Sequence, residues 1–102
     1  MIKTFADKET AALFMGLSVR KFRGKWIRSA RRKLDQLPAA GSLDFLRTPP
    51  GNRLEKLAGD RAGQHSIRIN DQWRLCFRFR DGNAFDVEIT DYHQEIHYVY
   101  IC

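Results

Sequence analysis

Residues 67–89, IRINDQWRLCFRFRDGNAFDVEI, carry the pattern that decides the fold of this chain. Large apolar side chains alternate with polar ones in three runs, which are Ile67 and Ile69, then Trp73, Leu75, Phe77 and Phe79, then Phe85, Val87 and Ile89. An alternation of period two is typical of β-strands that bury one face. Because only short connections separate the runs, the sequence predicts three consecutive antiparallel strands.

The connection Asp81-Gly82-Asn83 predicts the register of the last two strands. A two-residue loop would place Phe77 opposite Asp86 and mix the apolar and polar faces, so we expect a three-residue loop with a bulge. In that register the opposed pairs are Phe79 with Phe85, Phe77 with Val87, Leu75 with Ile89 and, on the polar face, Arg78 with Asp86.

The connection at 70–72 sets two basic side chains opposite each other. It pairs Ile67 with Leu75 on the apolar face, and therefore Arg68 with Arg74 on the polar face. Like charges directly across a strand pair destabilise it. Either both side chains splay into water or this polar face holds an anion, and Arg68 and Arg74 are the first residues to test for binding.

The N-terminal half of the chain predicts two helices. Met1–Phe5 is typical of a short strand, and Asp7 is a capping residue ahead of a short helix that ends near Gly16. From about Arg20 to Leu37 apolar residues recur every three or four positions, which is the pattern of an amphipathic helix.

Proline and glycine end the helical part of the sequence. We expect Pro38 to stop the second helix, and residues 39–52 to form a connector with about one helical turn around residues 43–46. The predicted fold class is therefore α+β, with two N-terminal helices packed on a mainly antiparallel β-sheet.

Length and composition limit the class of protein. With 102 residues, 43% of them hydrophobic, the chain is expected to form one domain with a real core, which excludes intrinsic disorder and collagen-like structure. It has no apolar run of the length that spans a membrane, and no signal-peptide pattern at its N-terminus, so we expect a cytoplasmic protein without a membrane partner. Two cysteines, Cys76 and Cys102, without metal-ligand spacing argue against a zinc module or a disulfide scaffold.

The positive charge is concentrated in the first half. Residues 1–50 hold 11 Lys and Arg against 4 Asp and Glu, whereas residues 51–102 hold 7 against 8. Eight cations lie between residues 20 and 33 without one acid, and they are Arg20, Lys21, Arg23, Lys25, Arg28, Arg31, Arg32 and Lys33. We call residues 20–33 the basic segment. It is either an ordinary solvated face or a surface that docks on a polyanion such as ribosomal RNA, while Phe22 and Trp26 point into the core.

Three motifs carry a family resemblance: LEKLAGDRAGQHSIRIN at 54–70, WRLCF at 73–77 and EITDYH at 88–93. Together they resemble the HigB/GraT-like toxins of the RelE/ParE superfamily, which belong to type II toxin–antitoxin modules. The resemblance covers residues 1–93 as a single RelE-like domain and leaves 94–102 as an extension of unknown role. It implies a RelE-like fold, a ribosome-dependent mRNA endoribonuclease that inhibits translation and growth, and no cofactor. The implied partners are the ribosome, mRNA and a HigA-like helix-turn-helix antitoxin, through which alone the toxin would meet operator DNA.

The chemistry of metal-free RNA cleavage suggests roles for these residues. The 2′-hydroxyl attacks the adjacent phosphate, so the site needs a base, cations for the developing charge and an acid for the leaving 5′-oxygen. The resemblance implies His93 as the acid or base, Arg74 as the phosphate stabiliser, and Asp91 and Tyr92 as orienting or substrate-contacting groups. Strand alternation alone puts Asp91 and His93 on the apolar side, so this hypothesis needs the strand to break or bulge by Thr90.

The segment before the Gly-Asp-Arg turn departs from the family pattern. Glu55 and Ala58, with Lys56 nearby, stand where better-known members have a His and a Lys. Glu55 could accept a proton but also repels phosphate, so the general base stays open and slow cleavage is expected.

Two more residues near this turn have open roles. Arg61 either contacts phosphate or forms an ion pair with Asp60 or Asp91, and His65 is expected at the surface. Lys56, Arg61 and Arg68 complete the predicted RNA-binding set. The alternative function is a non-catalytic ribosome- or nucleic-acid-binding regulator that an antitoxin neutralises.

Overall fold

A computed structural model describes residues 1–91 of the chain. Its helices are α1 (Lys8–Phe14) and α2 (Trp26–Ala39), and its strands are β1 (Glu55–Lys56), β2 (His65–Arg68), β3 (Trp73–Arg80) and β4 (Asn83–Asp91). The four strands form one antiparallel sheet in the order β1-β2-β3-β4. The α+β prediction is confirmed, and the sheet gains the short strand β1, which the alternation pattern did not indicate. Within residues 1–91 no helix has the length and apolarity to cross a membrane.

The N-terminal segment lies beside β4 rather than forming a full strand. It makes two parallel bridges, Ile2 with Ala84 and Phe5 with Val87. Asp7 then caps α1, as predicted, by accepting a hydrogen bond from the Thr10 backbone N–H at 3.2 Å. The chain therefore enters the first helix already attached to the last strand.

Helix α2 begins later and ends later than the apolar pattern predicts. Residues 20–25 form a loop, in which Gly24 adopts a φ of 115° that side-chain-bearing residues avoid. The Trp26 indole N–H closes this loop by donating to the Arg23 carbonyl oxygen at 2.6 Å. Pro38 does not stop the helix, which runs through Ala39, because a proline one residue from the end removes only one backbone hydrogen bond.

The connector after α2 follows the prediction. It contains the short 3₁₀ turns Leu43–Arg47 and Pro50–Asn52, the first of which covers the predicted helical turn, and a third such turn spans Gly59–Arg61. Asn52 is fully buried, and its amide donates to the Leu46 carbonyl oxygen at 3.0 Å. This buried amide ties the connector to itself just before β1.

The predicted register is right for the connection at 70–72. Ile67 pairs with Leu75, and Arg68 pairs with Arg74.

The β3–β4 hairpin differs from the expected one, and the three-residue loop is wrong. Arg80 pairs with Asn83, so the loop has two residues, Asp81 and Gly82, with φ of 53° and 78°. Positive φ at both positions is typical of a type I′ turn. The pair predicted for Phe79 with Phe85 is wrong, since Phe79 pairs with Ala84 and Arg78 with Phe85, while Phe77, predicted opposite Val87, lies where the register shifts.

A bulge in the middle of the hairpin returns the apolar side chains of β4 to the same face of the sheet as those of β3. The register shifts by one residue between Cys76 and Arg78, and Asp86 on β4 has a φ of 52°. The extra residue returns Leu75 to its predicted partner Ile89. The Arg78 guanidinium still meets the Asp86 carboxylate, with Nε 3.3 Å from Oδ2.

The helices cover one face of the sheet, which we call the inner face. Buried side chains of the inner face, among them Ile67, Leu75, Phe77, Val87 and Ile89, form the core together with Leu13, Leu34 and Leu37 of the helices. Phe22 is buried and Trp26 packs against this core, as predicted, and the Trp26 ring stacks on Trp73 with centroids 4.9 Å apart. The opposite, outer face carries Ser66, Arg68, Arg74, Cys76, Glu88 and Thr90.

Candidate functional site on the outer face of the sheet

Arg74 is the centre of the outer face. Its side chain is only 5% exposed, although arginine is a residue that rarely leaves water. Its Nε donates to Ser66 Oγ at 2.8 Å, and its Nη2 donates to the Arg53 carbonyl oxygen at 2.7 Å. The same Nη2 lies 3.2 Å from Glu55 Oε1. The guanidinium therefore joins β3, β2 and the segment that leads into β1.

Arg68 lies across from Arg74 without repelling it strongly, because each has its own carboxylate. Arg68 forms an ion pair with Asp71, and Arg74 forms one with Glu55. The expectation that both side chains splay into water is wrong for Arg74. Both pairs line a cavity of about 200 Å³ whose walls are Arg53, Glu55, Arg68, Asn70, Asp71 and Arg74. We call it the arginine pocket.

A second guanidinium is held further along the outer face. Arg61 Nη1 donates to Gln64 Oε1 at 2.9 Å and lies 3.1 Å from Glu88 Oε1. The side chains of Arg61 and Glu88 are 11% and 29% exposed. An ion pair is one of the two roles predicted for Arg61, but its partner here, Glu88, was missed by sequence reasoning. The alternation that places Glu88 on the polar face was the signal that could have found it.

A small apolar cluster separates the two arginines. Cys76 is fully buried against Leu57 on the outer face. Burial raises the pKa of the Cys76 thiol, which keeps it protonated. Cys76 is therefore packing material rather than a nucleophile.

Lys56 and His65 lie on the other side of the sheet from the arginine pocket. Lys56 pairs with His65 across β1 and β2, and the adjacent pair is Glu55 with Ser66. Because neighbouring pairs point to opposite faces of a sheet, Lys56 and His65 face away from Glu55 and Ser66. His65 is half-buried rather than on the surface, and its ring stacks near Phe77 with centroids 6.4 Å apart. Burial lowers the pKa of His65, and the nearby charge of Lys56 lowers it further. The structure thus brings Glu55, but not Lys56, to Arg74.

Asp91 lies at the end of β4 on the side opposite Arg74. It pairs with Trp73, and Gln72 Nε2 donates to its Oδ2 at 3.1 Å. Strand β4 runs without a break through Thr90, which pairs with Arg74, so the interruption expected there is wrong. Beyond the bulge at Asp86 the ladder with β3 is regular from Glu88 to Asp91, which keeps Asp91 on the inner side of the sheet. Tyr92, His93 and the extension 94–102 lie outside the described residues, so their predicted roles stay predictions.

The basic segment is divided between a loop and a helix. Arg20, Lys21 and Arg23 lie in the loop, Lys25 is the N-cap of α2, and Arg28, Arg31, Arg32 and Lys33 lie on α2. None of these eight side chains forms an ion pair within residues 1–91, and all but two are exposed.

The two half-buried cations of the basic segment have structural contacts. Arg31 Nη2 donates to the Leu17 carbonyl oxygen at 3.1 Å and its Nε donates to the Leu13 carbonyl oxygen at 3.4 Å, which joins α2 to the end of α1 and the loop after it. Lys33 Nζ donates to Asn52 Oδ1 in the connector. Burial lowers the pKa of Lys33, with smaller contributions from the charges of Arg32 and Arg68. The exposed members of the segment remain available to a partner.

The outer face can perform acid–base chemistry with its own side chains. In the part of the chain that the structure describes, no three His, Cys, Asp or Glu side chains come together in a way that could hold a metal ion. Glu55 is one-third exposed at the arginine pocket and can take up a proton from a bound molecule. The positive side chains around it favour an anionic one.

Two helices on a four-stranded antiparallel sheet, with guanidinium and carboxylate groups on the open face, define a small α+β domain. Residues 3–93 match the family described as the RelE-like toxin of type II toxin-antitoxin system HigB. The chain belongs to this family.

Three relatives share part of the sequence. The chain is 51% identical over 55 residues to Toxin HigB-1 of Vibrio cholerae, which covers 54% of this chain and 58% of that protein. It is 42% identical over 41 residues to Endoribonuclease HigB of Proteus vulgaris, covering 40% of this chain and 45% of that protein. An uncharacterized protein of Haemophilus influenzae is 40% identical over 53 residues, which is 52% of each chain. The chain thus spans about half the length of the curated relatives that it matches.

Proposed function

We propose that this protein is the toxin of a type II toxin–antitoxin module and acts as a metal-independent endoribonuclease. The observation that carries the proposal is its membership of the HigB toxin family over residues 3–93, together with a relative named Endoribonuclease HigB. Its substrate is mRNA on the translating ribosome, in the cytoplasm, and the consequence is inhibition of translation and growth.

The chemistry is assigned to Glu55 and Arg74 on the outer face and to residues 91–93 of the EITDYH motif. Attack of a 2′-hydroxyl on phosphorus needs a proton acceptor, and Glu55 or His93 takes this role. The ion pair with Arg74 holds the Glu55 carboxylate in place at 3.2 Å. His93, with Tyr92 and Asp91 beside it in sequence, protonates the leaving oxygen or orients the substrate. A carboxylate base close to phosphate favours slow cleavage.

The partners are an antitoxin and the ribosome. Family membership implies an antitoxin, and we propose one of the HigA-like helix-turn-helix kind, through which the toxin reaches operator DNA. The exposed, unpaired cations of the basic segment support docking on ribosomal RNA. Phosphate contacts of this kind position a protein without reading a sequence.

A second function is favoured by one observation on Arg74. Its guanidinium is buried and already bound to Ser66, Arg53 and Glu55, so it offers little to a substrate phosphate. A non-catalytic regulator that binds the ribosome or another nucleic acid would need only the basic segment.

Mapping the 5′ ends of transcripts after induced expression separates the two functions. The enzyme is expected to produce new 5′ ends and growth arrest, both lost in His93→Ala, which keeps antitoxin and ribosome binding. The matched variant Arg28→Glu with Arg32→Glu is expected to weaken ribosome binding. Growth arrest with intact transcripts would overturn the nuclease and leave the binding regulator.

A further inference from the structure

Arg53 presents a guanidinium at the arginine pocket that the sequence did not single out. The residue is exposed, it lines the pocket, and its side chain forms no hydrogen bond or ion pair within residues 1–91. Its backbone has a φ of 45°, in the left-handed region that non-glycine residues rarely adopt. The direction of the Arg53 side chain is therefore set by its left-handed backbone conformation rather than by contacts of the side chain.

Arg74 holds that backbone in place. Its Nη2 donates to the Arg53 carbonyl oxygen at 2.7 Å, while its Nε is anchored on Ser66 Oγ at 2.8 Å. A left-handed residue costs free energy and persists only where its surroundings fix it. The buried guanidinium of Arg74 supplies that support from beneath the pocket.

The charges of the arginine pocket leave one cation without a counter-charge. Arg74 is paired with Glu55, and Arg68 is paired with Asp71. Arg53 is the remaining cation among the residues that line the pocket. The pocket therefore has a net positive charge at its most exposed guanidinium, which suits one anionic group.

We propose that Arg53 contacts a backbone phosphate of single-stranded RNA, and that Arg74 is the positioning residue that presents it. This inference rests on the proposed function and names which arginine meets the substrate. A free guanidinium can form two parallel hydrogen bonds to a phosphate. Arg74 cannot do so without giving up bonds that hold the pocket together.

The substitution that tests the inference is Arg53→Gln, with Arg47→Gln as its matched control. Both variants remove one exposed positive charge, and Arg47 lies outside the arginine pocket, where Asp44 is its one ion-pair partner among residues 1–91. Binding of the full chain to a short 2′-O-methylated single-stranded RNA, which cannot be cleaved, is measured against salt concentration. One lost phosphate contact is expected to reduce the slope of log K against log salt by about 0.7 in Arg53→Gln. At low salt the affinity is expected to fall roughly tenfold, the order of one charged hydrogen bond.

Two further variants distinguish a phosphate contact of the Arg53 side chain from a structural role of this residue. Arg53→Lys keeps the charge and should keep the wild-type slope while losing part of the affinity. Arg53→Gly relieves the left-handed backbone, so it should lose the slope while its thermal midpoint stays at or above that of the wild type. An unchanged slope in both Arg53→Gln and Arg53→Gly would overturn the role of Arg53.

The proposed function fails in a different way. If the wild-type chain produces no new transcript ends on induction, the nuclease is overturned whatever Arg53 binds. If transcripts are cut and the slopes of Arg53→Gln and Arg53→Gly both equal that of the wild type, only the assignment of Arg53 is overturned. Binding of inorganic phosphate without binding of the RNA would also contradict it.

Discussion

The outer face and the basic segment both carry arginines, but they use them in opposite ways. On the outer face Arg74 and Arg61 are 5% and 11% exposed, and each is paired with a glutamate. In the basic segment Arg28 and Arg32 are exposed and form no ion pair within residues 1–91. The difference shows that residue type alone does not identify a binding cation, because burial and pairing decide whether its charge is free.

The contrast has a physical origin in the sheet. A polar strand face without helices above it must satisfy its charges from neighbouring strands and loops. Residues 53–64 supply those partners, since Glu55, the Arg53 carbonyl and Gln64 all reach a guanidinium. The basic segment faces water, where a charge needs no partner.

The largest effect is expected from Arg74→Ala. It leaves the carboxylate of Glu55 and the carbonyl of Arg53 without their buried donor, so the free energy of unfolding should fall by about 3 kcal/mol. Urea unfolding of the purified chain measures this loss. If Arg74→Ala abolished transcript cleavage at unchanged stability, Arg74 would be a catalytic residue rather than a support.

A smaller loss is expected when the Arg61–Glu88 pair is broken. Arg61→Ala should lower the free energy of unfolding by about 2 kcal/mol, since its guanidinium bonds to Glu88 and Gln64 are mostly shielded from water. A double-mutant cycle with Glu88→Gln isolates the pair, with an expected coupling of about 1 kcal/mol because Glu88 is 29% exposed. A coupling of zero would mean that Arg61 stabilises the chain through other contacts.

Within the basic segment itself, Arg31 should behave unlike its neighbours. Arg31→Ala removes its hydrogen bond to the Leu17 carbonyl and should cost about 1 kcal/mol of stability, whereas Arg28→Ala and Arg32→Ala should stay within about 0.5 kcal/mol of the wild type. Thermal unfolding compares the three variants. Equal stability of all three would place Arg31 with the free docking cations.

Much of the sheet was predictable because its signal is local. The alternation from Ile67 to Ile89 predicts three strands, and the turn at 70–72 fixes the pairing of Arg68 with Arg74. Both features depend on residues that are close in sequence. The same pattern also placed Glu88 on the polar face, where it was a candidate partner for Arg61, although alternation alone does not select it across 27 positions.

The hairpin loop was not predictable, because distant contacts stabilise the bulge. The backbone N–H of Asp86 donates to Thr4 Oγ1 at 2.8 Å, and that of Val87 donates to the Thr4 carbonyl oxygen at 3.1 Å. These contacts support the positive φ of Asp86 and allow the two-residue loop. The start of α2 depends in the same way on the stacking of Trp26 over Trp73.

The candidate site was predictable only in part. The family resemblance pointed to Arg74 and Glu55, and the structure places them 3.2 Å apart. It could not reveal that Arg74 is buried or that its Nη2 holds the carbonyl oxygen of Arg53, because burial depends on how residues 53–55 fold over β3. Composition favours an anion partner, but only three-dimensional packing distinguishes the free arginine from the paired ones.

The smallest expected effect is the contribution of His65, on the inner side of the sheet, to the pH dependence of the free energy of unfolding. Burial and the charge of Lys56 lower the pKa of His65 below its ordinary value of 6.5. As the pH falls below 6.5, the unfolded chain therefore binds a proton before the folded chain does, and the free energy of unfolding decreases until the pH is below the lowered pKa. His65→Gln cannot titrate, so it should lose less stability over this range than the wild type. Urea unfolding of both chains at matched pH values measures the difference, in which every other histidine cancels. Identical pH profiles would mean that His65 is as well hydrated as an exposed histidine, and that the inner side of the sheet is open to water at this edge.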